Sequence, residues 1–120
     1  MAQQVLLVDD EKEFLEAMAE RMAAREFTVS TASTAEEAIA LVEHNRYDAI
    51  ILDFQMPGMD GMEAVKMIRD KQHDAHIILL TGYATVEKEI EAMQMGALGL
   101  MEKPPDLEVL LQRIKHADIE

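Results

Sequence analysis

Short apolar runs alternate along the chain with longer segments in which apolar residues recur at helical spacing. The runs have the length and composition of strands, and they cover residues 4–8, 27–31, 49–52, 76–80 and 98–101. Between the second and third runs, the i, i+3, i+4 and i+7 spacing is kept by Ala35, Ala38, Ile39 and Val42. After the fifth run, the same spacing is kept by Leu107, Leu110, Leu111 and Ile114. This spacing predicts amphipathic helices with one buried face.

Capping residues support the boundaries of these helices. Ser33 or Thr34 can accept a hydrogen bond at the start of the second helix, where a glutamate follows three positions later. Gly96 can end the fourth helix, and Asp106 can begin the fifth. The polar signals therefore agree with the apolar pattern about where the helices begin and end.

Five strands that alternate with five helices predict one α/β domain built on a parallel sheet. Parallel neighbours require right-handed crossovers, which place helices on both faces of the sheet. Continuous apolar runs are typical of strands that are buried on both sides. In open, doubly wound sheets of this kind, ligands bind beyond the carboxyl ends of the strands, where the winding direction reverses. We therefore expect the functional site at that edge.

Reactive side chains follow four of the five predicted strands. In chain order they are Asp9 and Asp10, Asp53, Thr81 and Lys103. Each residue type has an ordinary explanation on its own, as a helix cap, a turn former, a loop hydroxyl or a solvated amine. Because the predicted sheet would bring all five to the same edge, we expect them to line one shallow cleft.

The charges in this cleft predict a metal ion. Three carboxylates and one ammonium leave an excess of negative charge, which a divalent cation would neutralise. Ligands that are all oxygen favour Mg²⁺, with Mn²⁺ as an alternative, over Zn²⁺. A metal beside a carboxylate, an ammonium and a hydroxyl suits phosphoryl transfer. Asp53 is then the candidate nucleophile, and a turn with Pro57, Gly58 and Gly61 would leave the space above it open.

Composition narrows the setting in which the protein acts. A chain of 120 residues that is 49% hydrophobic fits one compact domain. The absence of cysteine excludes a disulfide framework and a thiolate metal site, and fits a reducing compartment. The net charge of −13 predicts repulsion from nucleic acid and from anionic membranes. With no signal peptide or run of membrane length, we expect a soluble cytoplasmic protein.

Four segments resemble the receiver domains of two-component response regulators, and together they extend over essentially the whole chain. They read LLVDDE, DAIILDFQMPGMDGMEAV, IILLTGYAT and GALGLMEKPPDLEVLLQRI. The resemblance implies a flavodoxin-like fold with strand order 2-1-3-4-5, in a single receiver domain over residues 1–120. It also implies a signalling module rather than an enzyme, with at most self-phosphorylation from small donors and spontaneous loss of the phosphoryl group.

The resemblance assigns roles to the acidic residues. By it, Asp53 accepts a phosphoryl group from the phosphohistidine of a sensor histidine kinase or a phosphotransfer domain. Asp10 and Asp53 would bind Mg²⁺ together with the backbone carbonyl of Gln55. Asp9 would act on the metal mainly through bound water.

The same resemblance predicts how phosphorylation would change the surface. Lys103 would pair with the phosphoryl oxygens and Thr81 would hydrogen-bond them, which links the site to the fourth helix, fifth strand and fifth helix, around residues 84–117. That surface would contact a fused or separate output domain, or a second copy in a homodimer. Family members usually carry an aromatic residue three positions before the lysine, where this chain has Leu100, so a smaller switch is expected. A cis peptide bond before Pro104 is also implied.

Two other functions fit part of the pattern. A small phosphohydrolase with an aspartyl-phosphate intermediate usually needs a second Asp two residues after the nucleophile, and this chain has Gln55 there. A degenerate receiver used only for protein contact would have no need of the complete set of three acids, a hydroxyl and an amine. The residues therefore favour a receiver that can be phosphorylated.

Overall fold

The computed structural model describes residues 3–56 and 60–117, in which five strands alternate with five helices. The strands are β1 (Gln4–Val8), β2 (Thr28–Ala32), β3 (Ala49–Asp53), β4 (His76–Thr81) and β5 (Gly99–Glu102). The helices are α1 (Lys12–Ala23), α2 (Ala35–His44), α3 (Gly61–Lys71), α4 (Val86–Gln94) and α5 (Leu107–Ala117). Each predicted strand agrees with the observed one to within one residue at either end.

The five strands form one parallel sheet in the order β2-β1-β3-β4-β5, which confirms the predicted fold and topology. From β1 the chain crosses to β2 on one side, and it then returns past β1 to build β3, β4 and β5 on the other. The winding direction therefore reverses between β1 and β3. The register places Val8 beside Leu52, so the residues that follow these two positions meet at the reversal point.

Two hydrophobic cores lie on opposite faces of the sheet. Alternate strand residues such as Leu6, Ile50 and Leu79 pack in one core with α2, α3 and α4. Their neighbours, such as Leu7 and Ile51, pack in the other core with α1 and α5. Because side chains alternate across a strand, strands covered on both faces need apolar residues at every position. Each fully buried aliphatic side chain contributes about 1.5–3 kcal/mol, so the two cores hold the strand ends firmly in place.

The helix ends follow the predicted capping pattern. Thr34 Oγ1 accepts a hydrogen bond from the backbone N–H of Glu37 at 3.1 Å, and Ser33 Oγ donates to the same glutamate's carboxylate at 2.8 Å. Asp106 Oδ1 accepts from the N–H of Val109 at 3.2 Å. Gly96, just after α4, has a φ of +101°, a conformation that glycine adopts without strain.

The peptide bond between Lys103 and Pro104 is cis, as expected. Across the two described ranges, no helix is both long enough and apolar enough to span a lipid bilayer.

Candidate functional site

Three aspartates meet at the carboxyl ends of β1 and β3. Asp9 and Asp10 follow β1, and Asp53 is the last residue of β3. Each of them offers a carboxylate oxygen within 4.8 Å of those of the other two. Asp9 and Asp53 are buried, whereas Asp10 is exposed. The structure therefore brings together the three acids that the strand-end pattern selected, with one of them open to solvent.

Lys103 projects into the acidic cluster from the turn after β5. Its Nζ atom lies 2.8 Å from Asp9 Oδ2 and 3.6 Å from Asp53 Oδ2. The ammonium also forms an ion pair with Glu11 and lies 4.6 Å from the centre of the Phe14 ring. Burial alone would lower the pKa of this ammonium, but hydrogen bonds to Asp9 and Glu11 outweigh burial and raise it. Lys103 is therefore a permanent positive charge at the site.

The Asp53 carboxylate is held in surroundings that disfavour its charge. Burial is the largest cause and raises the pKa of its carboxyl, and the negative charges of Asp9 and Asp10 act in the same direction. A hydrogen bond from the backbone N–H of Gln55 to Oδ1, at 3.0 Å, and the nearby charge of Lys103 lower the pKa but do not cancel the effect. Added positive charge beside Asp53 would therefore favour its ionised form.

Thr81 ends β4 on the other side of Asp53 and is fully buried. Its hydroxyl donates to Gln55 Oε1 at 3.4 Å and accepts from the N–H of Tyr83 at 3.3 Å. The same glutamine oxygen accepts a hydrogen bond from the N–H of Gly82 at 3.1 Å. The loop after β4 and the turn after β3 are thus joined by one side-chain oxygen.

The backbone after Asp53 makes a close contact that requires glycine at position 61. A β-carbon on Gly61 would lie 2.5 Å from Cδ1 of Phe54 and 2.7 Å from its carbonyl oxygen, distances that real β-carbons do not reach. Asp60 caps α3 just before it, since its Oδ1 accepts from the N–H of Met62 at 3.1 Å. Pro57 and Gly58, which the sequence placed in an open turn, lie outside the described residues.

Three contacts at the site were not anticipated from the sequence. They are the pairing of Glu11 with Lys103, the hydrogen bonds accepted by the side chain of Gln55, and a 3.0 Å hydrogen bond from the N–H of Ala84 to Glu102 Oε1. The acidic run at residues 9–11 was a signal for the first, because a third acid beside the predicted lysine could have been counted with the other two. No local pattern indicates the other two contacts.

The donor set of the cluster fits a hard divalent cation. The candidate ligands are carboxylate oxygens from three side chains, with no sulfur or imidazole among them. Mg²⁺ and Ca²⁺ prefer such oxygens, and a metal that keeps several waters needs only a partly open site. Exposed Asp10 beside buried Asp9 and Asp53 provides that opening. The four nearby carboxylates, with Glu11 included, exceed the single ammonium in charge, which strengthens the case for a cation.

Comparison with protein families and with curated sequences points the same way as this geometry. The family model for the response regulator receiver domain matches residues 5–115. The chain is similar to the response regulator MprA of Mycobacterium sp. (strain KMS), with 32% identity over 115 residues that make up 96% of this chain and 50% of MprA. The chain therefore spans about half the length of this curated relative.

Solved structures share the whole fold. Chemotaxis protein CheY4 of Vibrio cholerae has a TM-score of 0.89 and 32% identity, over 98% of this chain and 99% of that one. A response regulator from Burkholderia pseudomallei, crystallised with a phosphorylated aspartic acid, a calcium ion and citrate, has a TM-score of 0.88 and 27% identity. That similarity covers 97% of this chain and 69% of the Burkholderia chain.

Proposed function

This chain belongs to the response regulator receiver domain family, and from that premise we propose that Asp53 accepts a phosphoryl group from the phosphohistidine of a sensor histidine kinase or a phosphotransfer domain. The observation that carries the proposal is the position of Asp53. Its carboxylate ends the central strand between the acidic pair on one side and the Thr81 hydroxyl on the other, with the Lys103 ammonium 3.6 Å away.

The proposed transfer replaces one phosphorus bond with another. An oxygen of the Asp53 carboxylate forms a bond to phosphorus as the bond from phosphorus to the donor's imidazole nitrogen breaks, and the imidazole keeps the electron pair and takes up a proton. The Lys103 ammonium would pair with the transferred oxygens, and Thr81 and the N–H of Gly82 would donate hydrogen bonds to them. This is positioning and charge neutralisation, which is how proteins assist phosphoryl transfer.

We propose Mg²⁺ as the metal, with Mn²⁺ as an alternative. Asp9, Asp10 and Asp53 would hold it together with the backbone carbonyl of Gln55, and Asp9 would contribute mainly through bound water. When bound, the ion would supply positive charge against the carboxylates and the phosphoryl oxygens. Support comes from the all-oxygen donor set, from the raised pKa of Asp53, and from the calcium ion in the Burkholderia relative.

The proposal treats residues 1–120 as a single receiver domain that acts in the cytoplasm. Because the chain covers only half of MprA, an output domain is expected either fused to it or as a separate protein. The negative net charge supports an indirect role toward nucleic acid, with any DNA contact made by the output partner. Self-phosphorylation from small donors and spontaneous dephosphorylation are expected as side activities of the same site.

We place the output surface on α4, β5 and α5. Thr81 and Lys103 lie at the entrances to this region, so a group bound between them can alter its loops. On α4, Val86, Ile90 and Met93 are exposed at helical spacing, which supports a contact with an output domain or with a second copy in a homodimer. Leu100 is buried in the core beneath and has no ring to rotate, so the proposed switch is small.

The test of phosphorylation is the intact mass of the protein after incubation with acetyl phosphate and Mg²⁺. The wild type is expected to gain one labile phosphoryl group and Asp53→Asn to gain none. The matched control is Asp60→Asn, since asparagine caps a helix as well as aspartate does and the labelling should be unaffected. Equal labelling of wild type and Asp53→Asn would show that another residue is the acceptor.

A further inference from the structure

The side chain of Gln55 contacts the Thr81 hydroxyl and the Gly82 N–H, the two groups that would donate hydrogen bonds to the phosphoryl group in the proposed function. The backbone of Gln55 donates to Asp53 Oδ1, while its side chain extends away toward β4. There Oε1 lies 3.1 Å from the N–H of Gly82 and 3.4 Å from Thr81 Oγ1. Even a β-carbon on Gly82 would lie only 3.4 Å from the same oxygen. A single amide oxygen therefore serves both donors.

The Thr81 hydroxyl depends on the Gln55 oxygen for its hydrogen bond. Thr81 is fully buried, and within the described residues its hydroxyl hydrogen has no acceptor at hydrogen-bonding distance apart from the Gln55 oxygen. A buried hydroxyl without an acceptor is destabilising, so the amide oxygen stabilises the loop after β4 in its present position. A backbone N–H likewise donates one strong hydrogen bond at a time. The oxygens of a phosphoryl group on Asp53 would therefore compete with the Gln55 oxygen for the Thr81 hydroxyl and the Gly82 N–H.

We propose that the side-chain oxygen of Gln55 is a resident acceptor, which occupies the Thr81 and Gly82 donors in the unphosphorylated chain and must leave them before a phosphoryl group on Asp53 can use them. This inference rests on the proposed function, because it needs Asp53 to be the acceptor. It gives position 55 a second role beside the backbone carbonyl. The residue sets how readily the site accepts a tetrahedral anion.

Gln55 is well suited to such a role. Its side chain is exposed, so it can swing into solvent without opening the core. The amide is neutral, so it satisfies the donors without adding to the negative charge around Asp53. An anion that binds at Asp53 must first displace this oxygen, so its binding to the wild type is weakened by about the net value of one hydrogen bond.

The test measures how tightly the protein binds beryllofluoride, a mimic of the phosphoryl group, in the presence of Mg²⁺. The NMR signal of the Gly82 amide reports the bound fraction. Gln55→Met keeps the length of the side chain but has no amide oxygen. Gln55→Asn keeps the amide but is one methylene shorter. Both variants are expected to bind beryllofluoride about two- to tenfold more tightly than wild type, which corresponds to the loss of one competing hydrogen bond.

Two controls separate this effect from a general change in the protein. Gln4→Met replaces an exposed glutamine at the start of β1, where the amino ends of the strands lie, and should bind beryllofluoride as tightly as wild type. Thr81→Ala removes one shared donor, so the gain from Gln55→Met should shrink in that background. A structural role for Gln55 alone would not show this dependence.

The outcomes distinguish this inference from the proposed function. If wild type binds beryllofluoride and Gln55→Met binds it equally or less tightly, the resident-acceptor role is overturned while the receiver function stands. The same holds if Gln4→Met gains as much, or if the full gain persists with Thr81→Ala. If wild type itself does not bind, the proposed function is overturned and this inference with it.

Discussion

The two ends of the sheet both carry polar side chains, but they use them in opposite ways. At the amino ends of the strands, buried Gln72 accepts a hydrogen bond from the N–H of Tyr47 at 2.9 Å and donates to the carbonyls of Val42, at 3.0 Å, and Asn45. All these groups are neutral and paired within the chain. At the carboxyl ends, by contrast, acidic residues gather around one lysine. The polar groups at the amino ends therefore satisfy one another, whereas at the carboxyl ends burial and neighbouring negative charges disfavour the ionised form of Asp53.

The largest effect that this contrast predicts is at the amino ends. Gln72→Ala should lower the free energy of unfolding by about 3 kcal/mol, because it removes three hydrogen bonds and leaves buried backbone groups without partners. Urea denaturation measures the change. Gln94→Ala, an exposed glutamine at the end of α4, is the control and should stay within about 0.5 kcal/mol of wild type. A Gln72→Ala protein as stable as the control would mean that water replaces the lost partners.

The next effect is at the carboxyl ends and depends on metal. Mg²⁺ at a hundredfold excess over its dissociation constant should stabilise the wild type by about 2.7 kcal/mol, because the proposed metal site exists only in the folded protein. Asp10→Ala should lose most of this gain, and Asp74→Ala, at the opposite edge, should keep it. Thermal unfolding with and without Mg²⁺ measures both. If Mg²⁺ leaves the melting temperature of the wild type unchanged, the metal has no place in the proposed function.

A smaller effect concerns the cluster without metal. Asp53→Asn should raise the free energy of unfolding at neutral pH by roughly 1 kcal/mol, because it removes a charge that is disfavoured by burial first and by repulsion from Asp9 and Asp10 second. Since burial raises the pKa of the folded carboxyl, the penalty is present above that pKa and vanishes as the pH falls through it. The gain should therefore shrink in acid.

Chemical denaturation in EDTA at several pH values tests this expectation. Asp70→Asn, on the exposed face of α3, is the matched control and should change stability little. If Asp53→Asn were the less stable protein at neutral pH, the attraction of Lys103 would outweigh burial and repulsion at this site.

The smallest effect is expected for an ion pair on the surface. Arg46 and Asp74 form one near the amino ends of the strands, but their side chains are 82% and 70% exposed. Arg46→Ala should change the free energy of unfolding by less than about 0.5 kcal/mol, because water and salt screen such pairs. Urea denaturation at low and high salt measures it. A large loss would mean that charge at the amino edge also contributes to stability.

The sequence predicts the fold and the membership of the acidic cluster for the same reason. Strands buried on both faces must be apolar at every position, so they are visible as runs, and the parallel topology then places the residues that follow them at one edge. This rule alone was enough to predict the positions of Asp9, Asp53 and Thr81. Lys103 was found in the same way, two positions after the end of the last predicted strand.

Contacts that depend on side-chain direction were not predictable in this way. The resemblance implied a backbone role for Gln55 at the metal, and nothing local shows that its side chain turns toward a loop 27 positions away. Gln72 looks like an ordinary residue after an amphipathic helix, yet it is buried and forms three hydrogen bonds. Both depend on which rotamer the neighbouring elements permit, and that is decided only when the elements pack.

The ion pair between Glu11 and Lys103 joins residues 92 positions apart, which has a consequence for the order of synthesis. On the ribosome, Asp9, Asp10 and Asp53 are made long before the only ammonium that lies among them in the described structure. We expect a nascent chain that stops before β5 to be held open at this edge by its own acids and to be compacted by divalent cations. Protease digestion of ribosome-stalled chains, with and without Mg²⁺, would detect this, and cation-independent protection would exclude it.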